Sequence, residues 1–583
     1  MSRKRYIKKQ PEQSELVQGE IKESGQLDLG ILSSVFFVVV TSIIPLCISR
    51  MGYFFITKER ADFFVFFTLG SVILPIIALL ITAQRFRPVD YLMSYLRTKP
   101  LSIPEWALLA FILLALLSSI FSPWQDFVWS GFTTNGTQGR WEGFRSFLSY
   151  GLAFFLIARF YRPQQRHFLI FSASVILISL YGVLQFLGFD ILVISSYVPK
   201  IVQYMPLTRM FRTTLGNTNV VSAYCSLVIV LFAALYSTSD NSKRNYLYLA
   251  ASVLSFALLL ICKGKAGYVG VLVTMVLLIP YWLSDRQRLG KIFIVLSIWC
   301  VAHSAIQFYL SFIKQRSALR PLRYEADQTF LNAFVPFHPV PFIVLAAVLL
   351  IAGLCLLFLL KKWPQRFLKI AGVAFLGLSL AGGLLFVEIA GARRGNQPQG
   401  IVWEAREILH GRLGDSLGTY RGWIWKAGLS VIKKHPFLGT GPDTYFFALG
   451  GRQTARILDA KFTPQSLIAL DGMQQEAMKV MNQWIDKAHN TYLQIAVCMG
   501  LPALFAYLIF LGALFLPSIK RAFKEPLLFA FGAGAFCYLV QCFFQVDTPI
   551  DRPLLYIVLG VMAVELSQKK VASENVPEVK ETA

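Results

Sequence analysis

The feature that most constrains this chain is a series of long apolar runs, each close to the roughly 20 residues that a helix needs to cross a bilayer. Backbone polar groups in lipid have no water to bond, so a run of this length favours a helix. Only 15% of the 583 residues are charged, whereas soluble proteins carry about 25%. The runs therefore predict an all-α, polytopic transmembrane helical bundle of about 12–14 spans.

Fourteen segments are the predicted spans: residues 31–48, 63–83, 106–121, 147–161, 168–187, 220–237, 246–262, 267–283, 292–313, 341–360, 367–387, 491–516, 527–546 and 554–567. They divide the chain into five regions. These are a basic tail (residues 1–30), an N-terminal transmembrane bundle (31–387), one large loop (388–490), C-terminal transmembrane helices (491–567) and a polar tail (568–583).

The distribution of Lys and Arg sets the predicted orientation. The N-terminal tail reads MSRKRYIKKQ, and alternate short loops are rich in Lys and Arg, for example around Arg87, Arg244 and Lys362. Short loops of this composition lie on the cytoplasmic side. We therefore expect a multi-pass cell-membrane protein with both termini cytoplasmic and the large loop outside. Because the net charge of +24 flanks membrane spans, the expected partners are the lipid bilayer and an anionic substrate, not nucleic acid.

Several loops on the expected outer side break this rule and carry cations. Arg140 lies in TQGRWEGFRSF, Arg212 in RMFRTTLGNTN, Lys265 in CKGKAG, and Arg421 is one of seven arginines in the large loop. Each one alone is more typical of a solvated or lipid-bound cation. Their recurrence beside glycines, which let the backbone approach a ligand, favours a shared anion-binding cleft suited to phosphate oxygens.

Two helices are predicted within the large loop. Arg421, Trp425, Leu429 and Ile432 share one helical face, and His435-Pro436 ends that helix. A second helix is predicted near Gln474–Trp484. Amphipathic helices in this position fit either the membrane surface or a cap over a cavity.

His489 lies where the large loop enters the next span. Taken alone, it is typical of an interfacial histidine, with Asn490 as the N-cap of the following helix. Its spacing by itself does not assign it a function.

The arrangement resembles the superfamily of O-antigen ligases and O-antigen polymerases, bacterial envelope glycosyltransferases with a large extracytoplasmic loop between late spans. His489-Asn490, then TYLQIAVCM, then Gly500-Leu501-Pro502-Ala503 is similar to the ligase signature, although Ala503 departs from it. YRGWIWKAGLSVIKKHPFLGTGPDTY, FRTTLGNTNVVSAY and KGKAGYVG are similar to three further family segments, with Lys265 where Arg is usual.

The resemblance implies transfer of a glycan from a polyprenyl-diphosphate-linked oligosaccharide donor to a glycan, lipid or protein acceptor at the outer membrane face. It makes His489 the candidate general base. Arg212, Lys265 and Arg421, with Arg140, are the candidates for binding the diphosphate. No metal or other cofactor is expected, and Asp547 and Asp551 are interpreted as lying apart from these motifs. Polymerisation, ligation and transfer to protein stay open.

A transporter or flippase for polysaccharide or lipid-linked glycan is the alternative from another functional class. Transporters are often built from internal repeats and carry ionisable residues at mid-membrane. This sequence shows no repeat, its spans are almost free of Asp and Glu, and the large loop has no counterpart in the first half. The transferase is therefore the favoured interpretation.

Overall fold

A computed structural model describes residues 28–48, 56–82, 99–133, 139–187, 213–239, 243–319, 339–359, 365–392, 401–412, 414–415, 417–458, 464–481, 484–545 and 547–574. Arg212 of the predicted cleft lies outside these residues.

The N-terminal bundle is a succession of helices. They are α1 (Leu29–Val38, extended by a π turn Val39–Ile43 and a 3-10 turn Ile44–Leu46), α2 (Ile56–Thr82), α3 (Ile103–Ile120), the short α4 (Gln125–Val128), α5 (Phe144–Phe160), α6 (Gln165–Phe186), α7 (Thr218–Thr238), α8 (Tyr246–Cys262, after a 3-10 turn Lys243–Asn245), α9 (Lys265–Leu277), α10 (Ile279–Leu283), α11 (Arg286–Leu319), α12 (Pro339–Leu354, extended by a π turn Cys355–Leu359) and α13 (Gln365–Ala392).

The large loop and the C-terminal region follow. The loop contains α14 (Ile401–Leu409), α15 (Leu417–Lys434), α16 (Tyr445–Ala448), strands β1 (Gly451–Leu458) and β2 (Pro464–Leu470), and α17 (Gly472–Met481). The last three helices are α18 (Thr491–Arg521), α19 (Pro526–Gln541) and α20 (Arg552–Glu574).

The predicted fold class, a polytopic all-α membrane protein, is confirmed. Each of the fourteen predicted segments overlaps a helix, and residues 267–283 overlap two, α9 and α10. Ten helices of the described residues are long and apolar enough to cross a membrane, fewer than the 12–14 spans predicted. Two others are shorter apolar helices, α9 and α19. The chain is a polytopic, all-α membrane protein.

Burial differs sharply between the centre and the edge of the bundle. The apolar window of α7 is 100% buried, whereas that of α13 is 0% buried and that of α12 is 17% buried. α7 packs against α8, α9, α11 and α19. Apolar side chains left exposed on α12 and α13 are what a lipid-facing edge requires, because only lipid is a favourable surrounding for them.

The large loop is folded. The helix around Arg421 is α15, which ends at Lys434 directly before His435-Pro436 as predicted. Three other details differ from the prediction. The second predicted helix, α17, ends at Met481 and does not reach Trp484. β1 and β2 form an antiparallel hairpin that was not predicted. The preceding helix α13 continues to Ala392, slightly past the predicted start of the loop at Glu388.

Candidate active site

A glycine-rich turn of the large loop docks into a break in α18. The amide of Thr440 donates to the carbonyl of Val497 (3.1 Å), and that of Gly441 donates to the carbonyl of Cys498 (2.7 Å). On the other side, the amide of Leu501 donates to the carbonyl of Pro436 at 2.8 Å. These bonds satisfy backbone groups that the break would leave unpaired. They fix the loop against the first half of α18.

Gly500 makes this docking possible. It has φ 88° and ψ 166° within α18, a conformation that favours glycine. A Cβ at this position would lie 2.0 Å from the carbonyl oxygen of Phe437. The glycine eleven residues after His489 is therefore explained as a contact point between the loop turn and the broken helix.

The backbone around His489 is held on both sides. The indole Nε1 of Trp425, on α15, donates to the carbonyl of Ala488 at 3.1 Å. The amide of Ala488 donates to Oε1 of Gln494 at 2.8 Å. Asn490 caps α18 as predicted, accepting from the amide of Leu493 at 3.0 Å. His489 itself has φ 49°, a strained conformation for a non-glycine residue that often marks functional sites.

The imidazole of His489 is neutral over the physiological pH range. Burial lowers its pKa to about 4, and the positive charges of Arg140, Arg421 and Lys487 lower it further, against the opposing effect of Asp486. Among the described residues, no side chain or backbone group is hydrogen-bonded to the ring. The geometry leaves an uncharged ring nitrogen available to a ligand.

Arg140 and Arg421 both lie close enough to act on the charge of His489, so the structure brings together three of the five predicted residues. Arg140 is already paired: its Nε lies 2.5 Å from Oδ2 of Asp486. This carboxylate raises the pKa of Arg140, even though burial acts in the opposite direction. Much of its charge is therefore compensated before any ligand binds.

Arg421 is less satisfied than Arg140. Its Nη1 donates to the carbonyl of Gly418 at 3.1 Å, and its buried Nε has no hydrogen-bond partner. Burial lowers the pKa of this guanidinium, opposed by Glu404. A buried cation with unused donors is stabilised by an anion, so Arg421 is the better placed of the two to bind one.

Lys265 lies at the same end of the bundle but apart from His489. It is an exposed residue at the start of α9. A Cβ at Gly270, further along α9, would lie 3.4 Å from Cβ of Gln541. The carbonyl of the next residue, Cys542, accepts from the amide of Thr491 at 2.9 Å. No contact between Lys265 and His489 is present in the described part of the chain, and the position of Arg212 lies outside it.

The sequence does not indicate the buried ion network that lies beside His489. Glu142, only 2% exposed, accepts from the Nζ of Lys487 and from the Nη1 of Arg552 at 2.6 Å. Lys487 also lies 3.4 Å from Oδ1 of Asp443. Asp443 in turn accepts from the amide of Phe132 at 2.8 Å. The residue two positions before His489 is thereby anchored to the α3–α5 connection.

The same network also anchors the residue two positions after His489. The hydroxyl of Thr491 donates to Oδ1 of Asp547 at 2.6 Å, and Oδ2 of Asp547 lies 2.5 Å from the Nε of Arg552. The interpretation that Asp547 lies apart from the motifs is therefore wrong. Asp551 contacts Thr548 and Tyr538, and burial, together with the charge of Asp547, raises its pKa to about 7.

Sequence separation explains why the network was missed. Glu142 is 345 residues from Lys487 and 410 residues from Arg552, so no local pattern connects them. The one available signal was the stretch DTPIDR, which places two carboxylates and an arginine directly before the last span. In the described residues, no group of three or more His, Cys, Asp or Glu could hold a metal ion.

Comparison with known families bears on this site directly. Residues 343–508 match the family model described as O-antigen ligase. Over this range, which is less than half of the chain, the protein is similar to the O-antigen ligase family. The matched range begins in α12 and includes the large loop, Arg421, His489 and Gly500. No curated protein matches the chain in a sequence comparison. The match, together with the ten apolar helices, supports a membrane glycan-transferring function.

Proposed function

We propose that the chain transfers or polymerises an oligosaccharide from a polyprenyl-diphosphate carrier onto an acceptor at the outer face of the cytoplasmic membrane. The observation that carries this proposal is that a neutral imidazole, His489, lies within electrostatic range of the under-satisfied guanidinium of Arg421. A base and a fixed cation are the two groups that displacement of a diphosphate by a hydroxyl requires.

In this mechanism, an acceptor hydroxyl oxygen attacks the anomeric carbon of the donor sugar and gives its proton to a ring nitrogen of His489. The bond between the anomeric carbon and the diphosphate oxygen breaks, and the electron pair leaves with the diphosphate. Arg421 stabilises the charge that develops there. Arg140, Arg212 and Lys265 are proposed to contribute to donor binding. For Arg140, the pairing with Asp486 makes positioning the main contribution.

Donor binding also strengthens the base. Of the three cations that lower the pKa of His489, Arg421 has an unused donor, and its charge is the one that a bound diphosphate would neutralise. A nearby negative charge favours the protonated imidazole, so the pKa of His489 rises towards neutrality when the donor is bound. A general base is most effective when its pKa lies near the working pH. His489 is therefore a stronger base in the donor complex than in the free protein.

The proposed orientation places both termini in the cytoplasm and the large loop outside. It is supported by the alternation of Lys and Arg between loops. Reporter fusions after Arg244 should read cytoplasmic, and fusions after Gly414 should read outside. A cytoplasmic reading after Gly414 would put His489 on the wrong side for an outer-face transferase.

The test of the activity is direct. Purified protein incubated with a polyprenyl-diphosphate oligosaccharide and an acceptor should release polyprenyl diphosphate, and a chelator should leave the rate unchanged. Lengthened carrier-linked glycan would identify polymerisation, whereas glycan on a separate lipid or protein acceptor would identify ligation. Vectorial movement of intact donor across a vesicle membrane, without release of polyprenyl diphosphate, would instead support the transporter alternative.

A further inference from the structure

A groove lies between α1 and α6, far from His489. Its volume is about 450 Å³, within the range of about 300–1,000 Å³ typical of ligand sites. Ile31, Val35 and Val39 line one wall at intervals of one helical turn, and Ile170 of α6 lies opposite. Ile31 and Val35 are 65% and 49% exposed. The groove is therefore an apolar channel open to the surroundings of the bundle.

Two arginines lie at one end of this groove. Arg162 and Arg166 both line it and are both exposed. In the part of the chain that the structure describes, neither forms an ion pair with a carboxylate. Asp28 also lines the groove, but its carboxylate accepts from the amide of Gly30 at 2.8 Å and caps α1. This hydrogen bond leaves the carboxylate charged, so the end of the groove carries two positive charges and one negative charge and is positive overall.

The groove is at the opposite end of the bundle from the candidate active site. α5 begins at Phe144, two residues after Glu142 of the buried ion network, and ends at Phe160, directly before the loop that carries Arg162. A helix of 17 residues is roughly 26 Å long at about 1.5 Å per residue. The two sites therefore lie at opposite ends of α5, and the groove is independent of the proposed reaction.

We propose that this groove binds an anionic phospholipid, with its phosphate on Arg162 and Arg166 and an acyl chain along Ile31, Val35 and Val39. The charge and the shape both support this occupant. The phosphate needs cations, which the two arginines supply in a form that can fork onto its oxygens. The acyl chain needs an apolar channel beside them. Basic pockets between transmembrane helices are known to hold anionic headgroups in this way.

The experiment is native mass spectrometry of the full-length protein in detergent, with phosphatidylglycerol and phosphatidylcholine added in equal amounts. The unaltered protein should retain phosphatidylglycerol preferentially. Since each Arg near an anionic headgroup contributes roughly 1 kcal/mol, Arg162→Gln with Arg166→Gln should reduce that preference about thirty-fold. Lys520→Gln with Lys524→Gln removes the same charge from the same end of the bundle outside the groove, and should leave the preference unchanged.

A second variant tests the apolar wall. Val35→Trp, at an exposed position, fills the channel and should lower retention of both lipids. An unchanged preference in the double arginine variant, or an equal loss in the lysine control, would overturn the proposal. So would phosphatidylglycerol binding that appears only when residues 1–27 are deleted, because the groove would then be filled by the N-terminal tail.

Discussion

Substitution of Glu142 by Gln tests whether the buried ion network positions His489 or only stabilises the fold. Glu142 bridges Lys487 and Arg552, and all three side chains are at most 3% exposed. The substitution removes the shared carboxylate charge with little change in shape. Each cation keeps a second acidic neighbour: Asp443 for Lys487, and Asp547 for Arg552.

The magnitude follows from this geometry. Removing one partner of a buried ion pair typically costs about 3–5 kcal/mol, and the remaining acids place Glu142→Gln near the lower end of that range. Lys487 is two residues from His489, so its displacement should also move the imidazole. Misplacement of a reacting group by about 1 Å can reduce the rate roughly 10²-fold. We therefore expect loss of both stability and activity.

A matched control lies at the other end of α5. Glu105, 5% exposed, is ion-paired with Arg159, whose Nη2 donates to its Oε2 at 2.7 Å. Arg159 also keeps other acceptors, the carbonyls of Lys99 and Pro100. Glu105→Gln should therefore destabilise the protein by a comparable amount without moving His489.

The assay combines thermal unfolding of detergent-purified protein with release of polyprenyl diphosphate, expressed per folded molecule. Glu142→Gln should lower both the unfolding temperature and the specific activity, whereas Glu105→Gln should lower only the unfolding temperature. If both variants keep full specific activity, the network serves folding alone and the positioning argument is refuted.

Two further substitutions test the docked turn and the free cation. Gly500→Ala should lower the free energy of unfolding by at least about 1–3 kcal/mol, because its Cβ would contact the carbonyl of Phe437. Gly512→Ala on the same helix, where a Cβ would have nothing within 4 Å, should leave the unfolding temperature nearly unchanged. Arg421→Ala should reduce donor turnover at normal membrane yield, and Lys426→Ala, which removes an exposed charge paired with Asp415, should not; similar losses in both would mean that bulk surface charge is responsible.

The bundle was predictable because hydropathy is a local property. Each predicted span overlaps a helix, although residues 267–283 form two, and the helix around Arg421 ends where His435-Pro436 indicated. The hairpin of β1 and β2 was missed because neither Gly451–Leu458 nor Pro464–Leu470 shows a strict alternation of apolar and polar residues. Pairing between the two strands, which the sequence does not display, stabilises them.

The candidate site was only partly predictable, for a different reason. The resemblance implied that Arg140, Arg421 and His489 belong to one site, and in the structure both arginines lower the pKa of His489. It did not indicate that Asp486 already compensates Arg140, nor that Glu142 anchors the segment before His489. Those contacts depend on how distant loops meet. The placement of Arg212 in the cleft stays a prediction.

The most direct test of the proposed mechanism is the pH dependence of transfer by the unaltered protein and by His489→Ala. Neutral imidazole is the active form, so activity should fall as the pH decreases through its pKa. In the pH profile of kcat/KM, the fall on the acid side should be centred near the pKa of about 4 of the free protein. In the profile of kcat, this fall should occur at a higher pH, because the bound diphosphate raises the pKa of His489.

His489→Ala should lower the specific activity by a factor of roughly 10²–10⁴ at normal membrane yield. Its remaining activity should no longer fall on the acid side of the pH profile. Asn490→Ala, which removes a helix cap worth about 1 kcal/mol, should do much less. Near-normal specific activity of His489→Ala, with only the membrane yield reduced, would contradict the catalytic role and leave His489 a structural residue.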